Sequence, residues 1–148
     1  MFNLARFFRP GADRKPERLP ATDDSSICLL VITSDDPFYS SIQTAASPYG
    51  WTIARSGTVE QAMEALRNAP APVVVYDWIS GDGEWESAFN RLVAMSAKPC
   101  VVLASRVIDE YLLQDVVRRG GEDVVPRAAE RVIQAVRFAA FRRRHERV

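Results

Sequence analysis

Five β-type runs, the second of them alternating, alternate in turn with amphipathic helical stretches along this chain, and that order leaves few folds open to it. The runs are Ile27–Ile32, Trp51–Arg55, Val73–Asp77, Pro99–Ala104 and Asp123–Val125. Ile27-Cys28-Leu29-Leu30-Val31-Ile32 is continuously apolar, as expected of a strand covered on both faces. Between the runs, apolar residues recur at helical spacing: Phe38, Ile42, Ala45 and Ala46; Val59, Ala62, Met63 and Leu66; Trp85, Phe89, Leu92 and Val93. The next two stripes are Leu112, Leu113, Val116 and Val117, then Ala129, Val132, Ile133, Val136 and Ala140. Strands alternating with helices of this length predict a parallel sheet with helices on both faces. Right-handed crossovers over about 120 residues point to a flavodoxin-like α/β fold, five strands in the order 2-1-3-4-5.

Punctuation supports the same division. Asp36 is placed to cap the first helix with Pro37 at its first position. Thr58-Val59-Glu60-Gln61 is a capping box, Asp109 can cap the fourth helix, and Gly120-Gly121 ends it. Residues 1–26 differ in composition, with Pro10, Gly11, Pro16 and Pro20 interrupting a polar segment, and are expected to form an arm or linker. The ordered domain is expected over 27–143, followed by a basic tail over 144–148.

Composition narrows the chemistry. The 148 residues carry a formal net charge of zero, which gives no reason to expect a nucleic-acid partner. One histidine and two separated cysteines exclude zinc-type ligand clusters and histidine-based triads. Cys28 and Cys100 lie inside apolar runs and are expected to be reduced, core-type thiols. No apolar run approaches the roughly 18–20 residues of a membrane span, and a cytoplasmic location is expected.

The third run, Val73-Val74-Val75-Tyr76-Asp77, delivers a carboxylate to the tip of the expected central strand. Open α/β sheets place their ligands at such tips. The predicted order also brings Ser34-Asp35 and Val125-Pro126-Arg127 to this edge. Two carboxylates from separate strands repel, and a divalent cation such as Mg2+ resolves this with one or two carboxylates, a backbone carbonyl and waters. Asp35, Asp77 and the Ile79 carbonyl are the candidate ligands, with Asp36 as an additional one. Arg127 is the candidate contact for phosphoryl oxygens. Gly81-Asp82-Gly83 lacks the Lys-Ser/Thr ending of a P-loop, and the first strand–helix turn offers no cradle for a flavin phosphate.

From Ile27 to Arg143 the chain resembles the response-regulator receiver domain, the phosphorylatable module of two-component signalling. The resemblance rests on Ser34-Asp35-Asp36-Pro37, Val75-Tyr76-Asp77, Gly83-Glu84 and Gly120-Gly121-Glu122-Asp123-Val124-Val125, in order and spacing. It implies Asp77 as phosphoacceptor, Mg2+ as cofactor, and a sensor histidine kinase or phosphotransfer protein as partner. Departures from the family pattern are equally specific. Ser34 stands where the first of two acidic residues is expected, and Ala104 stands at the hydroxyl position, with Ser105 next to it. Val124 replaces the aromatic of the switch pair, and Arg127 replaces the lysine. An arginine keeps the charge but presents a planar fork in place of a compact ammonium.

Two functions follow from the resemblance: a phosphorelay receiver accepting a phosphoryl group on Asp77, or a phosphorylation-independent interaction module. Neither makes the chain an enzyme beyond turnover of its own phosphoryl group. Phe138 and Phe141 fall opposite the buried stripe of the last helix, beside Arg137, and mark an expected contact face, with self-association through that helix as one option. The chain past the fifth helix is too short for an output domain, so direct transcription control is not expected.

Overall fold

The computed structural model describes residues 27–79 and 85–146. The expected arm over 1–26, residues 80–84 with the Gly81-Asp82-Gly83 segment and Glu84, and the final two tail residues lie outside the described residues. Strands are β1 Cys28–Ile32, β2 Thr52–Ser56, β3 Val73–Trp78, β4 Cys100–Ser105 and β5 Asp123–Pro126. Helices are α1 Asp36–Ala46, α2 Val59–Asn68, α3 Trp85–Val93, α4 Glu110–Arg118 and α5 Ala129–Glu146, with a 3-10 turn at Ser47–Tyr49. All strand pairs are parallel, and the order is β2-β1-β3-β4-β5, as expected from the alternation.

Strand parity divides the core in two. Leu29, Val31, Val73, Val75, Val102 and Val125 face α1 and α5, where Phe38, Ile42, Val132 and Val136 pack against them. Leu30, Ile32, Val74, Val101, Leu103 and Val124 face the other way, toward Leu66, Trp85, Phe89, Leu92 and Val116 of α2, α3 and α4. Runs apolar at every position, with no alternation, are therefore the sequence mark of a sheet buried on both sides.

The helix ends follow their local chemistry. Thr58 accepts from Gln61 N at 3.1 Å, and Asp109 accepts from Leu112 N at 2.8 Å. The first helix corrects the expectation by one residue: Asp35, not Asp36, is its N-cap, accepting from Phe38 N at 3.1 Å. Gly120 leaves α4 at φ 99°, a conformation open to glycine. At Gly121 a Cβ would lie 2.3 Å from the Phe89 ring, so the bare backbone lets the chain pass against the α3 core.

The last helix runs on through Arg144 and His145 to Glu146, further than the expected domain end at 143. Its basic end is tied back to the domain. Arg142 meets Glu122 as a fork at 2.7 and 2.6 Å, and Arg143 donates to the carbonyls of Ala97 and Lys98. These bonds hold the end of α5 against the segments that precede β5 and β4.

Candidate functional site

Thr33 follows β1, Asp77 sits near the end of β3, and Arg127 follows β5 directly. The β1–β3 register pairs Ile32 with Tyr76, so continuing it by one step sets Thr33 beside Asp77. Both share the parity of Val31 and Val75, and both point to the α1/α5 side. Asp77 is buried, and its side chain has no exposed surface.

Five hydrogen bonds define the cluster. Arg127 Nε donates to Asp77 Oδ1 at 2.7 Å and Nη2 to Asp77 Oδ2 at 3.0 Å, a bidentate fork. Arg127 Nη2 also donates to Asp35 Oδ2 at 2.6 Å. Thr33 Oγ1 donates to Asp77 Oδ2 at 2.7 Å and accepts from Asp35 N at 3.0 Å. The guanidinium carbon lies 4.4 Å from the centre of the Phe38 ring, within cation–π range. Asp35 divides its two oxygens between the cap of α1 and Arg127.

The electrostatics agree with this geometry. Asp35 is held below the ordinary Asp range, first by the Arg127 hydrogen bond and then by the Phe38 N–H. The Arg127 guanidinium is held still more firmly protonated than usual, chiefly by its bonds to Asp77.

The other expected residues are placed differently. Asp36 turns away from the site: its carboxylate is 82% exposed and pairs with Arg55 at 2.7 Å. Arg55 also donates to the Thr33 carbonyl at 3.1 Å, so it braces the turn from outside. Ser34 is exposed. Ala104 lies directly beside Asp77 in register and offers no hydroxyl. Ser105 does not substitute for it. It pairs with Trp78 in register, on the opposite face, and its hydroxyl donates to Val107 O at 2.8 Å and accepts from Val107 N. Val124 faces α3 and α4, away from Asp77. Ile79 is half-buried just past β3, where it lines a shallow cavity of about 200 Å³ with Thr33, Ser34, Thr58 and Asp77.

The Mg2+ implied by the resemblance does not fit these residues as they stand. Arg127 Nη2 lies between the Asp35 and Asp77 carboxylates, within 3.0 Å of an oxygen of each. Both Asp77 oxygens are engaged, and the further carboxylate, Asp36, is committed to Arg55. Among the described residues, no three His, Cys, Asp or Glu side chains cluster for a metal.

On α5, Phe138 is 60% and Phe141 50% exposed, as expected of the face opposite the buried stripe. Arg137 lies over the Tyr49 ring at 4.9 Å. Tyr111 and Val117 of α4 are exposed apolar residues too. Among the described residues, no helix is long and apolar enough to cross a membrane.

Thr33 is the site residue that the sequence analysis missed. Its signal was parity: it stands two residues beyond Val31, as Asp77 stands two beyond Val75.

No protein-family model and no curated protein matches the sequence. Solved structures do match the fold. A receiver-domain structure from Vibrio parahaemolyticus superposes with a TM-score of 0.72 at 15% identity, covering 82% of this chain and 95% of that one. The receiver domain of a Francisella response regulator gives 0.68 at 17% identity, covering 79% and 98%. A response regulator from Thermotoga maritima gives 0.65 at 18% identity, covering 75% and 98%. The chain therefore has the fold of a response-regulator receiver domain, with the carboxylate at the tip of its central strand closed over by an arginine.

Proposed function

We propose that this protein is a receiver-fold signalling module that acts by protein contact, without phosphoryl transfer at Asp77. The observation that carries this reading is the covered carboxylate: Asp77 has no exposed side-chain surface and lies in the Arg127 fork. An aspartate that attacks a phosphoryl group needs a free oxygen and a cation for the incoming charge. Here Thr33 and Arg127 occupy both oxygens, and Arg127 is already committed to two carboxylates.

The contact surface is the exposed side of α5, with Phe138 and Phe141 as apolar anchors and Arg131 and Arg137 on the same exposed side. Large aromatics beside arginines are the composition of interface centres. An isologous pair of α5 helices would set basic residues against basic residues, so a partner with an apolar groove and acidic rim fits better than a second copy. A histidine kinase or phosphotransfer protein would serve here as a docking partner, not as a phosphoryl donor.

The test is site-specific photo-crosslinking from position 138 in the native host, read in otherwise wild-type, Asp77→Asn and Phe141→Glu backgrounds. A discrete adduct retained in Asp77→Asn and lost in Phe141→Glu is expected. An adduct that depends on Asp77, or none at all, would sink the reading.

A further inference from the structure

We infer that Arg127 is the resident cation of the Asp35–Asp77 carboxylate pair and makes this edge of the sheet independent of divalent metal. The inference rests on the reading of Asp77 as a closed site and says what closes it.

Two acidic side chains from neighbouring strands require a positive charge between them, or one must take up a proton. Three observations assign that place to the guanidinium. First, its Nη2 touches both carboxylates, at 2.6 Å to Asp35 and 3.0 Å to Asp77. Second, Nε and Nη2 of one guanidinium each take a different oxygen of the Asp77 carboxylate, the paired-donor contact that an arginine fork supplies. Third, the Phe38 ring packs 4.4 Å from the guanidinium carbon. An aromatic face favours a delocalised organic cation, whereas Mg2+ demands an octahedron of oxygens on all sides.

The placement has a mechanical consequence. Arg127 stands between the end of β5 at Pro126 and the start of α5 at Ala129. Its bonds run to the N-cap of α1 and to the tip of β3. The start of α5 is thus pinned to two other elements by covalently carried charge. An exchangeable ion would pin it only while bound. The latch is always closed, and the α5 contact face is held in one arrangement whatever the cell's supply of divalent ions.

Thermal melting and tryptophan fluorescence of the full chain, titrated with MgCl2, test this. Trp78 adjoins Asp77 and reports on that strand tip. Wild-type melting is expected not to move beyond the shift that matching ionic strength from NaCl gives. Arg127→Ala should melt lower and recover with saturable dependence on Mg2+, and the Arg127→Ala/Asp77→Asn double variant should lose that recovery. Arg127→Gln, which keeps most of the volume without the charge, serves if the alanine variant does not fold. Saturable Mg2+ binding by the wild type would overturn the inference. So would charge-removed variants that are indifferent to Mg2+, or that stay unfolded at every concentration. These outcomes differ from a failure of the interaction-module reading, which would show as phosphorylation of Asp77 or as partner loss in Asp77→Asn.

Discussion

Arg127 and Asp77 meet fork to fork, Nε to Oδ1 at 2.7 Å and Nη2 to Oδ2 at 3.0 Å, across fifty residues of sequence. The partners differ in access to water: the Asp77 side chain has none, while 15% of the Arg127 side chain is exposed. Removing the arginine strands a buried charge, whereas removing the aspartate charge leaves Arg127 its bond to Asp35 and a path to solvent. Arg127→Ala is therefore expected to cost about 3–5 kcal/mol, the range for one-sided loss of a buried pair, and Asp77→Asn distinctly less. Urea unfolding with an unchanged m-value checks the order. A larger loss in Asp77→Asn would contradict it.

Thr33 uses its hydroxyl twice, as donor to Asp77 and as acceptor from Asp35 N. Thr33→Val keeps the shape and removes both bonds. A loss of about 1–3 kcal/mol is expected, as for a buried polar group left short of a partner. Thr33→Ser should recover most of it. Equal stability of the valine and wild-type proteins would rule out this role.

Asp35 gives the acid limb of stability. Its carboxyl is lower in the folded chain than in the unfolded one, first through Arg127 and then through the cap to Phe38. A depressed folded pKa contributes stability that is fully present above the unfolded value of about 3.9 and is lost as pH falls through the folded value. Asp35→Asn should therefore melt below wild type at neutral pH, with the gap closing below about pH 4. A gap that stays constant as pH falls far below the unfolded value would mean the carboxylate charge is not what matters.

The fold was legible because both of its determinants are local. Runs apolar at every position announce a doubly covered sheet, and residues such as Thr58 and Asp109 mark helix starts where they stand. The cap of α1 moved by one residue because Asp35 and Asp36 are both suitable next to Pro37. Tertiary partners decide between them: Arg127 draws Asp35 inward, and Arg55 draws Asp36 outward. The site was legible in membership but not in arrangement. Asp77, Asp35 and Arg127 could be brought to one edge by topology alone. That the guanidinium faces the carboxylates, and not an incoming phosphate, depends on side-chain directions across β1, β3 and β5. Thr33 was within reach by parity, since Val31 and Val75 already fix the face. The twofold use of its hydroxyl was not, because it depends on where the Asp35 backbone lies.

The most direct measurement is intact mass after incubation with a small-molecule phosphodonor and Mg2+. Wild type and Asp77→Asn are each expected to keep the mass of the untreated protein, without a phosphoryl adduct, at saturating donor. A single phosphoryl group carried by the wild type and absent from Asp77→Asn would show that Asp77 opens to chemistry, and would contradict the account.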